Sequence, residues 1–181
     1  MEEDTDASSS SSEAASSSAA VSPIRPPSSV KVGEMDAEHE MCVTALSQLE
    51  RQRDLTALDA VLSAYRMHFQ HEEQLLDQHL YASALEGRGE GGRGGGGGFS
   101  VAASARASHF RDHERMLDDV EALRSTLAAK VAAGHAGARV PAAGVDATLR
   151  AFETHADKYD GGYAEALSQA LAAAEVAAEL Q

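Results

Sequence analysis

Tryptophan is absent from this chain of 181 residues, and all aromatic residues together make up 4% of it. So thin a supply of large flat side chains argues against a β-sandwich, whereas the abundant alanine suits helices. A single cysteine, Cys42, excludes an internal disulfide and fits a reducing compartment. Positive charge is scarce too: 15 Lys and Arg stand against 29 Asp and Glu, a net charge of −14 with histidine neutral. Nucleic acids and anionic membranes call for clustered cations, so neither is expected as a partner. No apolar run approaches the ~18 residues of a membrane span. The opening stretch MEEDTDASSS has neither the basic start nor the apolar core of a secretory signal. The expected location is the cytoplasm.

Residues 1–30 are rich in serine and acid and end in PIRPPSS. Such a segment buries too little surface to offset its ordering entropy, and reads as a disordered tail. Residues 31–181 carry four amphipathic patterns with the 3.6-residue period of a helix. The first covers about 36–51, with Met35, His39, Cys42, Leu46 and Leu49 in line. The second covers about 54–85, opened by Asp54 as N-cap and striped by Leu58, Val61, Leu62, Tyr65, Phe69, Leu76 and Leu80. The third covers about 101–133, with Met116, Val120, Leu123 and Leu127. The fourth starts near Val145 and carries Leu149, Phe152, Ala156, Tyr163, Leu167 and Leu171. The expected fold is all-α, an up-down-up-down four-helix bundle. Residues 87–98, GRGEGGRGGGGG, read as a flexible tether, and 134–144 as a loop with an exposed His135. Gly87, Gly89 and Gly92 fit a G-x-G-x-x-G spacing, but no strand precedes them, so a nucleotide site is not expected.

Five of the eight histidines fall on or beside the apolar stripes rather than on a solvated face. Residues three and four apart share a face. His109 and His113 therefore align with Met116 and Val120, and His39 with Met35, Cys42 and Leu46. Glu72 falls inside the second stripe and His68 at its edge, while His155 lies at the margin of the fourth. Asp160 lies near the line of Leu149 and Leu167, yet it sits about 140° from His155 on an ideal helix. Asp157 is an alternative carboxylate that fits no better. His71 and Glu73 point away from the seam and read as solvated.

Seven inward imidazoles and carboxylates in a small bundle each need a partner, and a bound cation satisfies them together. Imidazole with carboxylate, and no thiolate set, suits iron, zinc, copper or manganese. Five imidazoles and two carboxylates exceed the coordination of one tetrahedral zinc, so two metals use them more naturally. No Glu is followed by His three residues on, which disfavours ferritin-type bundles.

Four motifs, one per helix and in order, resemble the hemerythrin family: VGEMDAEHE around His39, HFQHEE from His68, HFRDH from His109, and HADKYD from His155. The resemblance runs from about residue 29 onward. It implies two non-haem iron ions, bridged by carboxylate and hydroxide. His109, His113 and His155 would hold one ion and His39 and His68 the other, with Glu72 and Asp160 shared. It also favours Asp160 over Asp157. The implied activity is reversible binding of O2, or another small diatomic ligand, for storage, transport or sensing. The alternatives are iron homeostasis, and turnover of peroxide or nitric oxide. Turnover is disfavoured by the lack of any evident inward acid or base beyond the seven.

Overall fold

The computed structural model describes residues 24–82 and 101–180, and every structural statement below concerns these. They form helices that pack into a bundle. Helix α1 is Gly33–Gln52, α2 is Leu55–His79 and α3 is Val101–Ala132. The fourth rod is α4, Ala142–His155, followed without a break by a π-helical turn, Ala156–Asp160, and by α5, Gly161–Glu179. The tether at 87–98 lies outside the described residues.

Local chemistry sets these boundaries. Helix α1 stops where Arg53 takes a left-handed conformation, φ 53°, and its N–H returns to Leu49 O. The next residue, Asp54, caps α2, its side chain accepting from Ala57 N at 3.0 Å. The same corner anchors the start of the fourth rod. Val140 N donates to Arg53 O at 2.8 Å, and Arg53 Nε donates to Val140 O at 2.6 Å.

The apolar stripes meet as their periodicity predicts. One large cluster joins Cys42, Leu46 and Leu49 of α1 to Leu58, Val61, Tyr65 and Phe69 of α2. Met116 and Val120 of α3, and Leu149 and Phe152 of α4, complete it. A smaller cluster holds Leu76, Tyr163 and Leu167. On α2 Glu72, and on the fourth rod His155 and Asp160, fall in sequence between the residues of these two clusters. A polar layer is therefore flanked by apolar packing on both sides.

The composition shift at residue 30 does not mark the start of packed structure. Residues 1–23 lie outside the described residues, but Ile24 is buried in the large cluster and Val30 against Met35 and Ala164. Between these two anchors the chain crosses the bundle without regular secondary structure. Arg25 N donates to Glu153 Oε1 at 3.1 Å, the Arg25 guanidinium pairs with Asp157 and Lys31 pairs with Glu165. Two isolated aliphatic side chains suffice to pin a segment whose average composition is polar.

Candidate metal centre

All seven residues singled out from the sequence are buried, none more than 3% exposed. Their donor atoms gather in two groups, each with atoms within 4.8 Å of one another: Glu72, His109, His113 and His155, and beside them His39, His68 and Asp160. The two carboxylates join the groups. Asp160 Oδ2 lies 3.0 Å from His39 Nε2 and its Oδ1 3.4 Å from His155 Nε2. Glu72 Oε2 lies 3.1 Å from His113 Nε2 and 3.8 Å from His68 Nε2.

The π turn brings Asp160 in. An α-helix would rotate it about 140° from His155, but the wider i→i+5 ring returns a residue five positions on to nearly the same side. The turn begins directly after His155 and ends at Asp160. Asp157 stays outside, 57% exposed at its side chain and paired with Arg25.

Behind the histidines stands a ring of carboxylates that follows the order of the helices. Glu38 of α1 meets His68 Nδ1 of α2 at 3.4 Å. Glu73 of α2 accepts from His113 Nδ1 of α3 at 2.8 Å. Asp112 of α3 accepts from His155 Nδ1 of α4 at 3.0 Å. Each brace adjoins one of the seven in sequence: Glu38 precedes His39, Glu73 follows Glu72, and Asp112 precedes His113. One residue turns a helix by about 100°, enough to aim the acid at the neighbouring rod. Among the described residues no carboxylate stands behind His39 in this way. Glu73 is therefore not simply solvated, and neither is His71, whose Nδ1 is 2.8 Å from Glu38 Oε1. An acid beside His39, Glu72 and His113 was the signal available in the sequence.

The electrostatics favour lone pairs in the centre. A carboxylate only accepts, so His113 and His155 carry their protons on Nδ1 and present bare Nε2 atoms inward. Those atoms stand 3.1 Å apart. Burial, then the neighbouring imidazoles, hold His109 down to about 3. Burial and His155 hold His113 down to about 4, against the pull of Glu73. Both rings are neutral at pH 7. Burial and the Asp160 charge push Glu72 up to about 7. Desolvation also raises Asp160, but its contact with His39 and the other imidazoles outweigh this and hold it low. Of the six buried side-chain polar atoms that lack a hydrogen-bond partner, five belong to this set: His39 Nε2, His68 Nε2, Glu72 Oε2 and both Asp160 oxygens. Leaving such atoms unpaired costs about 1–3 kcal/mol each, and a cation would satisfy them at once.

One further group reaches the layer. The Tyr163 hydroxyl donates to Glu72 Oε1, so an inward proton-bearing group does exist beyond the seven. Its place in the stripe of the fourth rod gives only burial; what the hydroxyl meets depends on the π turn. Cys42, one turn from His39, is fully buried, and burial pushes its thiol well up, as fits a small core residue.

A family model, the hemerythrin HHE cation-binding domain, matches residues 30–167 of the chain. No curated protein and no solved structure matches it. No described helix is long and apolar enough to cross a membrane.

Proposed function

The chain belongs to the hemerythrin family of HHE cation-binding domains, and from that premise we propose that it holds two non-haem iron ions and binds O2 reversibly. The observation that carries the proposal is the approach of His113 Nε2 to His155 Nε2 at 3.1 Å. Two lone-pair acceptors at that distance repel unless a cation stands between them. The donor chemistry fits iron: neutral imidazoles, carboxylates and no thiolate. The same reading takes the four rods to alternate in direction, up-down-up-down.

On this reading His109, His113 and His155 hold one ion and His39 and His68 the other, with Glu72 and Asp160 shared. The carboxylate distances to both groups support the sharing. The His39 and His68 ion has fewer protein donors, which leaves room for an exogenous ligand. When bound, the iron pair supplies reversible electron exchange with O2. The protein's part is to keep the imidazoles neutral, fix their rotation through Glu38, Glu73 and Asp112, and exclude water. Phe152, fully buried and 6.2 Å from His39, walls that side, and Phe69 stacks on His113 at 4.0 Å. Leu46 and Tyr65 extend the apolar wall.

Purified protein is expected to contain about two irons per chain. Adding O2 to the reduced form should produce a visible absorption band that argon bleaches. A folded, colourless, iron-free protein rejects the proposal. Turnover of peroxide or nitric oxide is a second reading, favoured by the Tyr163 phenol on Glu72. Steady-state consumption of either substrate separates it from reversible binding.

A further inference from the structure

The three braces of the ring are carboxylates, and they can only accept. Tyr163 differs: among the described residues it is the one group other than the histidines that points a proton at either carboxylate of the layer. Its side chain is 7% exposed and packs with Leu76 and Leu167, and its ring lies 5.8 Å from that of His109. The hydroxyl donates to Glu72 Oε1, the oxygen 3.4 Å from His109 Nε2. Glu72 Oε2 is then left facing His113 and His68 without a hydrogen bond of its own.

This contact selects which Glu72 oxygen faces which histidines, and it draws electron density from the carboxylate shared by both groups. We propose that Tyr163 is a positioning residue for the metal pair, which fixes the rotation of Glu72 and weakens its donation, and so favours the ferrous over the ferric state. The inference rests on the iron reading above and deepens it. Hydrogen bonds to metal-binding groups set both affinity and potential. A donor to an anionic ligand lowers the charge that ligand offers the metal, and the ion of lower charge tolerates that loss better. A tyrosine kept only to fill space would leave the potential alone.

The test compares Tyr163→Phe with Leu167→Ala, a packing change in the same apolar cluster. Metal-free melting, ferrous iron uptake under argon and the midpoint potential of the loaded protein are measured for each. Tyr163→Phe should weaken ferrous uptake by ~10-fold. It should also shift the ferrous-to-ferric ratio at fixed potential about tenfold toward ferric, which is about 59 mV for a one-electron couple. Leu167→Ala should lower the melting temperature and leave the potential in place. Should Tyr163→Phe fail to fold, 3,5-difluorotyrosine at position 163 keeps the shape and strengthens the donor, so the potential should rise. A Tyr163→Phe protein with iron content and potential of the parent, a matching shift in Leu167→Ala, or no rise with the fluorinated residue overturns the inference. If the parent chain takes up no iron under argon, the iron reading fails and this one with it. The parent sample alone distinguishes that result.

Discussion

The two donor groups of the polar layer share carboxylates but are held differently. Glu72, His109, His113 and His155 form the crowded group, four donors with two of the three rings braced by Glu73 and Asp112. His39, His68 and Asp160 form the sparse group, three donors with one longer brace from Glu38. A cavity touches one member of each group: one of about 510 Å3 reaches His39, and one of about 700 Å3 reaches His113. The crowded group offers a cation four donors and the sparse group three, so on the proposed reading the exogenous ligand completes the sparse side.

The harshest way to break the comparison is to remove what the groups share. Glu72→Ala should drop the metal content from about two per chain to less than one, read by elemental analysis, and a variant that keeps both ions removes Glu72 from the centre. Single histidines sharpen the contrast. His39→Ala is expected to retain about one ion in the crowded group, while His113→Ala loses more than that because the shared carboxylate is disturbed too. Equal losses would erase the asymmetry. Next in size is Phe152→Ala, which opens a cavity beside His39 and should cost about 3–5 kcal/mol of stability in chemical denaturation, with faster ligand loss from the sparse group.

Acid gives a smaller effect with a definite sign. His109 and His113 titrate near 3 and 4 when folded, against ~6.5 unfolded. The unfolded chain therefore takes up protons first, and metal-free protein loses stability as pH falls from about 6.5 toward 4. Glu72, raised to about 7, binds its proton earlier in the folded state and offsets roughly one of the two histidines. The net slope is thus about 1 kcal/mol per pH unit, and denaturation midpoints that rise with acid would contradict it. Smallest of all is Arg25→Ala in the segment above the sparse group. Its ion pair with Asp157 is largely exposed, so the change should stay within about 1 kcal/mol.

Much of the candidate site was legible because helical period and burial act locally. His109 and His113 share a face with Met116, and His39 with Cys42 and Leu46, whatever the helices later meet. Asp160 was less legible, since an ideal period turns it from His155 and only a π turn corrects that. Glu73, read as solvated, accepts from a histidine on another helix. Ile24 and Val30 were hidden within a serine-rich average. For Glu73 and Ile24 the deciding partners lie far away in sequence, and for Asp160 a local widening of the helix decides.

By itself the sequence determined that the chain is helical, that four apolar stripes exist, and that seven imidazoles and carboxylates lie on or beside them, because a residue's neighbours three and four positions away share its helix face. Tertiary packing alone decided that the seven meet as two unequal groups, that each acid ring member braces the next helix's histidine, and that Tyr163 finds Glu72. Those outcomes depend on the rotation and height of one rod against another, which no periodicity within a single rod encodes.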